Sequence, residues 1–364
     1  MVGLGIGAGA GLGLGFGIGT HYATVLLDTR RSVLYPERVL GADEGTVTLA
    51  RSRLVLQPGV WGLRWSEGLA VLGPVLRDDK RGVVRRLLSG PVPPVGPAVV
   101  DAGPYDPDPG AHGLTFDEVM IDTPLGPAPA WEVPAAGTTW AIAIHGRGGT
   151  RREALRILPA LHALGLPQLV VSYRNDPEAP PSPDGFFHLG DTEWEDLEAA
   201  VRYATSRGAR RIVLVGWSMG AAICGAFLDR SAEAHLVEAM VWDAPLVDWR
   251  ACLRLQAANR LVPPALVPLA TATATRRIGI DFDRFDLRRT PPKHRPPTFI
   301  VHSGPDTAVP ASSSRALAAA GRALGWPIRY LEVPDVEHTA AWNADPERYE
   351  QAVTAFLRDA GAVA

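Results

Sequence analysis

The residues that could do chemistry begin with Ser218, at the centre of the sequence GWSMG. The apolar run RIVLV precedes this motif and small residues follow it, which predicts a strand that turns sharply into a helix. Glycine suits positions 216 and 220 because a Cβ atom there would collide with the neighbouring strand and helix. The helix N-terminus favours a developing oxyanion at the serine. Ser218 is therefore the candidate nucleophile, and an ordinary turn with a capping serine is the alternative.

A serine nucleophile needs an adjacent base, which in turn needs an orienting acid, in the chain order serine, acid, histidine. The chain has nine histidines. His338 lies in VPDVEHTAAW, in a loop between the last predicted strand and the last predicted helix, where the base is required. The remaining eight precede the plausible acids or lie in predicted strands, helices or turns. His338 is the candidate base, and a surface loop histidine is the alternative.

Four carboxylates follow Ser218 at positions where the acid could lie. Asp306 follows the predicted strand TFIVHSG in the turn HSGPD, from which a carboxylate could reach the imidazole. Asp243 follows the strand-like MVWDAP and is the main competitor, and a capping carboxylate in a turn would have the same sequence. Asp335 and Glu337 are more distant options. The sequence favours Asp306.

A glycine-rich loop, HGRGG at 145–149, follows the predicted strand WAIAIHG. Glycines there allow the backbone to approach a substrate carbonyl closely, and an oxyanion hole needs one NH group from such a loop and one from the residue after the serine. The predicted donors are the NH groups of Arg147 and Met219. A plain turn before a helix is the alternative, and the spacing of a phosphate-binding loop is not present.

The elements that must position these residues begin near Phe116, where predicted strands start to alternate with predicted helices. This alternation is typical of an α/β protein with a mostly parallel sheet and helices on both faces. Ligands bind at the carboxyl ends of strands in such sheets, which is where the candidate residues lie. Residues 246–296 separate two core strands and predict a helical lid over the site. Trp217, Trp242 and Trp249 are either pocket or core residues, with core favoured.

The motifs GWSMG, HGRGG and HSGPD, together with the late His338, resemble the α/β-hydrolase superfamily over residues 116–364. SYRND and SPDGFFHLG make the chain similar to membrane-anchored bacterial serine hydrolases and to the prolyl-oligopeptidase-like group. Ser303 departs from the family pattern, in which glycine often follows the strand histidine. The resemblance does not extend to residues 1–115.

The resemblance implies an α/β-hydrolase fold with Ser218 as nucleophile, Asp306 as acid and His338 as base, and with Arg147 and Met219 as oxyanion donors. The implied activity is that of a carboxylesterase-like serine hydrolase, which forms an acyl-enzyme with a small-molecule ester or acyl substrate. A serine peptidase or acyltransferase with the same triad is the alternative, and a non-catalytic binding protein is the least expected. This chemistry requires no metal or organic cofactor.

The N-terminal part of the chain is divided into two predicted segments. Val2 to Leu27 carries no charged residue and is long enough to span a bilayer, so residues 1–30 predict a membrane anchor, and a flexible glycine-rich tail is the alternative. Arg30 and Arg31 then favour a membrane-associated protein with a cytoplasmic catalytic domain. Residues 31–115 predict a small β-rich segment followed by a linker, with Leu88 to Gly113 as the linker.

The composition excludes some classes of partner. The formal net charge is -3 with both signs interspersed, so nucleic-acid binding is not expected. The two cysteines, Cys224 and Cys252, are too few for a disulfide framework and lack metal-site spacing. They predict buried, reduced thiols. The oligomeric state is left open by the sequence.

Overall fold

A closed six-stranded β-barrel precedes an eight-stranded, mostly parallel sheet in the computed structural model, which describes residues 24–30, 34–103 and 106–363. The barrel strands pair antiparallel in the order β1-β2-β5-β4-β3-β6, and β6 closes onto β1. Their bounds are β1 Glu37–Ala42, β2 Thr46–Leu49, β3 Trp61–Trp65, β4 Gly68–Asp79, β5 Gly82–Ser89 and β6 Gly96–Asp101.

The barrel has its own hydrophobic core. Val47, Leu49, Trp61 and Leu63 are fully buried inside it. Strand β6 lies within the segment 88–113, which the sequence predicts to be a linker. Its sequence GPAVVD is short and flanked by turn residues, so the local sequence does not predict a strand. Pairing with both β1 and β3 makes it a strand.

The second sheet has the order β14-β13-β12-β11-β9-β10-β8-β7. The hairpin β7–β8 is antiparallel and pairs with β10, whereas β9 to β14 run parallel. The strands are β7 Asp117–Thr123, β8 Gly126–Val133, β9 Thr139–Ile144, β10 Gln168–Val171, β11 Arg211–Trp217, β12 Val237–Asp243, β13 Thr298–Ser303 and β14 Ile328–Val333.

The helices cover both faces of this sheet. They are α1 Leu158–Ala163, α2 Trp194–Ser206, α3 Met219–Arg230, α4 Trp249–Asn259, α5 Val267–Ile278, α6 Ala311–Ala320, α7 Ala341–Ala344 and α8 Pro346–Asp359. Side chains of α2, α3 and α6 pack with Leu214 on one face, and those of α1 and α8 pack with Val213 and Val215 on the other. Successive side chains of the central strand β11 point to opposite faces of the sheet, so this strand contributes to both hydrophobic cores. The predicted α/β-hydrolase architecture with a β-rich N-terminal segment is confirmed.

The segment between β12 and β13 is largely helical, as its sequence predicts. It contains α4, α5 and 3-10 turns at Pro264–Leu266 and Phe282–Phe285. Trp249, Ala274 and Phe282 join the core of the sheet. The segment is therefore packed onto the sheet and carries apolar side chains toward the site.

The predicted membrane anchor and membrane-associated localisation are corrected by the structure. No helix in the described ranges is long and apolar enough to cross a membrane. Residues 24–27, the end of the predicted span, form a helical turn, and Leu27 is fully buried in the core of the sheet. Its apolar surface is covered by protein side chains, so no lipid is needed to cover it. Residues 2–23 of the predicted span lie outside the described residues.

Candidate active site

Ser218 occupies the turn between β11 and α3 and has the strained backbone angles φ 51° and ψ −113°. Left-handed backbone of this kind is costly for a residue with a Cβ atom and is concentrated at functional sites. A Cβ atom on Gly220 would clash with the carbonyl oxygen of Ile144 in β9, and one on Gly216 would lie 3.0 Å from the backbone nitrogen of Ala221. Glycine is therefore required at position 220, and position 216 has little room for a side chain.

The structure brings together the predicted nucleophile, base and acid. The Ser218 hydroxyl donates to Nε2 of His338 at 2.9 Å, and Nδ1 of His338 donates to Oδ2 of Asp306 at 2.6 Å. The serine follows β11, the aspartate follows β13 and the histidine follows β14. A continuous hydrogen-bonded chain thus runs from hydroxyl to carboxylate at the carboxyl ends of three parallel strands.

The Asp306 carboxylate is fixed from several sides. Its Oδ1 accepts hydrogen bonds from the NH groups of Ala308 at 2.7 Å and Val309 at 2.8 Å. Its Oδ2 lies 3.1 Å from Nε2 of the buried His302. Burial alone would raise the pKa of Asp306, but hydrogen bonds from His302 and His338 hold it well below the usual range. The carboxylate is therefore ionised beside His338.

Two opposing effects act on the base. Burial lowers the pKa of His338, but the hydrogen bond and the negative charge of Asp306 outweigh burial, so the pKa of His338 is raised above its ordinary value. Glu153 and Asp243 add smaller contributions in the same direction. The imidazole of His338 therefore has a higher affinity for a proton than an ordinary histidine.

The competing acids lie elsewhere. The carboxyl of Asp243 is buried, and burial raises its pKa to about 6, with Arg156 and Tyr349 acting in the opposite direction. Asp335 lies exposed in the loop after β14, and Glu337 forms an ion pair with Arg53 of the barrel at 2.6 Å. The contact with Nδ1 of His338 is made by Asp306.

Arg147 and Met219, the predicted oxyanion donors, line the same cavity as Ser218 and His338. The loop after β9 lies against the serine, since a Cβ atom on Gly146 would lie 3.1 Å from Cβ of Ser218. Neither the NH of Arg147 nor that of Met219 has a hydrogen-bond partner within the described part of the chain. Both NH groups are available to a substrate oxygen.

A buried support for this loop was missed by the sequence reasoning. Nε2 of His145 lies 2.7 Å from Oδ2 of Asp176, and its Nδ1 lies 2.9 Å from the carbonyl oxygen of Gly146. Both ring nitrogens face acceptors, which requires the protonated imidazolium. Burial lowers the pKa of His145, but Asp176 raises it further. The Tyr173 hydroxyl donates to the carbonyl oxygens of His145 and Gly146, both at 3.1 Å. Tyr173 and Asp176 both lie in the segment SYRND, which is the part of the sequence that could have indicated this support.

A cavity of about 250 Å³ opens beside the serine hydroxyl. Its wall is mostly apolar and comes largely from α4 and α5, with Leu26 from the N-terminal turn. Trp249 lines this cavity, whereas Trp217 and Trp242 are core residues. Among the residues that the structure describes, no cluster of histidine, cysteine or carboxylate side chains could hold a metal ion.

The barrel contacts the loops that carry His338 and Asp306, which sequence reasoning also missed. Val336 and Ala340, on either side of His338, are fully buried in the barrel core. Arg53 in the loop after β2 pairs with Glu337 and also donates to the carbonyl oxygen of Pro305 at 3.1 Å. The barrel is therefore packed directly against the loops that carry His338 and Asp306.

Comparison with solved structures shows the fold of the chain. The Pyrococcus furiosus esterase Pf2001 superposes with a TM-score of 0.55 and 18% identity over 70% of this chain and 94% of that chain. A second crystal form gives a TM-score of 0.54 and 18% identity over 71% and 96% of the two chains. DcsB in complex with its substrate analogue gives a TM-score of 0.50 and 17% identity over 67% and 99%. No curated protein matches the chain.

The sheet order and the likeness to these structures show that the chain has an α/β-hydrolase fold. Residues 184–362 match the prolyl oligopeptidase family, and this match supports serine hydrolase activity. Residues 38–101, which form the barrel, match a domain of unknown function, DUF8805.

Proposed function

We propose that this chain is a carboxylesterase-like serine hydrolase that cleaves a small-molecule ester through an acyl-enzyme. The hydrogen-bonded chain from Ser218 through His338 to Asp306, which opens into an apolar cavity, carries the proposal. A catalytically silent binding protein would have no need for a strained serine aligned with a base and a buried carboxylate.

The geometry suits a two-step acyl transfer. The Ser218 oxygen attacks the ester carbonyl while its proton passes to Nε2 of His338, and Asp306 stabilises the resulting imidazolium. The carbonyl oxygen becomes an oxyanion that the NH groups of Met219 and Arg147 stabilise. His338 then protonates the departing alkoxide, and the acyl group stays on the serine. A water molecule deprotonated by His338 releases the acid and restores the serine.

A serine peptidase is the second candidate, because the matched family is the prolyl oligopeptidase family. The esterase is favoured because the cavity of about 250 Å³ lies below the usual range for drug-sized ligands, roughly 300 to 1,000 Å³. A peptide would need room for several residues, and an acyltransferase would need room for an acceptor besides the ester.

We also propose a division of labour along the chain. Residues 116–364 act as the catalytic domain, and 31–115 form the N-terminal unit with the barrel and the segment that joins it to the sheet. The helices α4 and α5, within residues 246–296, act as a lid because they supply much of the cavity wall.

Covalent labelling tests the proposed function directly. The purified chain is treated with a fluorophosphonate probe, the adduct is located by mass spectrometry, and a series of 4-nitrophenyl esters is assayed in parallel. We expect labelling at Ser218 and turnover of short esters. The Ser218→Ala variant should remain folded and lose about 10⁶-fold in kcat, since members of a triad act as a unit. Labelling without ester turnover would favour the peptidase, and near-normal turnover by Ser218→Ala would overturn the proposal.

A further inference from the structure

The cavity beside Ser218 carries positive charge without a balancing negative charge. Arg147 and Arg260 both line it, and no aspartate or glutamate does so among the residues described. The thiol of Cys252 also lies in the wall, but burial raises its pKa to about 12, so the thiol is neutral. The described part of the cavity wall therefore carries net positive charge.

The guanidinium of Arg147 lies over this cavity. It acts electrostatically on the Cys252 thiol in the cavity wall and on the guanidinium of Arg260. Within the described part of the chain, no hydrogen bond or ion pair to the Arg147 side chain is found. Asp28 lies near it but is bound by Arg30 at 2.8 Å. Arg147 thus faces the cavity with its hydrogen-bonding capacity unused.

The environment of Arg147 favours an incoming anion. Arg147 is exposed to solvent, yet loss of solvation beside the neighbouring side chains lowers the pKa of its guanidinium, and the nearby Asp28 opposes this effect only in part. Arg260 is exposed and, among the described residues, donates to the carbonyl and side-chain oxygens of Gln256, one turn earlier in the chain. A carboxylate could accept two parallel hydrogen bonds from either guanidinium.

The rest of the wall is apolar, with Leu246, Trp249, Leu253 and Val309 among its side chains. We infer, building on the proposed ester hydrolysis, that the substrate is a small ester with a short apolar chain that carries a carboxylate, and that Arg147 and Arg260 bind this carboxylate. The apolar wall holds the chain and the guanidinium groups select its charge. Arg147 then has two separate roles, with its backbone NH for the oxyanion and its side chain for the carboxylate.

Two esters of equal chain length test this inference. One is 4-nitrophenyl pentanoate, which is neutral, and the other is the mono-4-nitrophenyl ester of glutaric acid, whose chain ends in a carboxylate. We expect the wild-type chain to prefer the glutarate ester at low salt. The ratio of the two kcat/KM values should fall about tenfold in Arg147→Ala, as expected for loss of one charge-assisted hydrogen-bonding partner. Arg147→Lys should recover part of the ratio.

The matched control is Arg254→Ala. Arg254 lies on the same helix as the cavity residues Leu253 and Gln256, but it faces a separate cleft. Its removal should leave the ratio at the wild-type value. Added sodium chloride should lower the ratio in the wild type and have a smaller effect in Arg147→Ala, where only the charge of Arg260 remains to be screened.

The outcomes separate this inference from the proposed function. Turnover of both esters with no preference for the glutarate ester, or with a preference that Arg147→Ala retains, would overturn the inference and leave the esterase standing. Turnover of neither ester would contradict the proposed function. In that case, binding of the monoamide of glutaric acid, measured by calorimetry, tests the inference without requiring turnover. Binding that weakens about tenfold in Arg147→Ala supports it, and absent or unchanged binding overturns it.

Discussion

The barrel and the eight-stranded sheet differ in what they contribute to the site. The sheet places Ser218, Asp306 and His338 at the carboxyl ends of parallel strands, where chemistry is possible. The barrel is antiparallel, encloses its own core and, within its described residues, supplies no side chain to the cavity. It packs instead against the loop around His338. The sheet thus carries the residues proposed to react, and the barrel contacts the loops that position them. Substitutions in the sheet should therefore change mainly kcat, and substitutions inside the barrel should change mainly stability.

The largest effect is expected in the sheet. Asp306→Asn should lower kcat by about 10⁴-fold, because the amide cannot hold His338 in the required tautomer or stabilise its charged form. Asp335→Asn is the matched control, since Asp335 is exposed and has a positive φ of 61° that asparagine also tolerates. Steady-state kinetics check both variants. A large loss in Asp335→Asn, with little in Asp306→Asn, would reverse the assignment of the acid.

Two valines in the barrel core separate stability from catalysis. Val47 lies in β2 and Val336 lies in the catalytic loop, and both are fully buried in the same core. Each Val→Ala change should destabilise the fold by about 1–2 kcal/mol through the cavity it leaves, as measured by thermal unfolding. Only Val336→Ala should also lower kcat. Equal kcat values in the two variants would mean that the barrel does not restrain His338.

A smaller effect is expected at the ion pair between the two regions. Arg53→Ala should lower kcat about fivefold with little change in KM, because an ion pair whose arginine is open to solvent contributes about 1 kcal/mol or less. Arg51→Ala is the control, since Arg51 pairs with Asp78 inside the barrel region. A changed pH profile in Arg53→Ala alone would indicate a displaced histidine. Identical kinetics in the two variants would remove Arg53 from the set of positioning residues.

The pH dependence should report the environment of His338. The base acts in its neutral form, so kcat/KM is lost as the pH falls through its pKa. Because Asp306 raises that pKa, the acidic limb should lie above pH 6.5, the ordinary value for histidine. Residual activity of Asp306→Asn should show the limb at lower pH. A limb that does not move in this variant would assign the titration to another group, such as Asp243.

The local parts of the site could be predicted from sequence because each lies in a short motif with its own steric reason. GWSMG fixes the turn at Ser218, and the positions after β13 and β14 point to Asp306 and His338. The preference for Asp306 over Asp243 depended on the turn after β13, and the observed hydrogen bond to His338 agrees with it.

The remaining parts depend on contacts between distant residues. Strand β6 is recognisable only through its pairing with β1 and β3. Arg53 and Pro305 are 252 positions apart in the chain, and no local sequence pattern predicts their contact. The burial of Leu27 could not be predicted from the sequence either, because an apolar residue gives the same sequence pattern whether protein or lipid covers it. Composition therefore misassigned the segment that ends there.

The packing of Val336 and Ala340 into the barrel has a consequence for synthesis and folding. The barrel strands leave the ribosome before the loop around His338, so their core lacks these two side chains until more than 200 further residues have been made. Contacts across such long sequence separations form slowly, because the intervening chain must be ordered before they are gained. Completion of the barrel core and positioning of His338 depend on the same contacts, so we expect the proposed site to form late in folding.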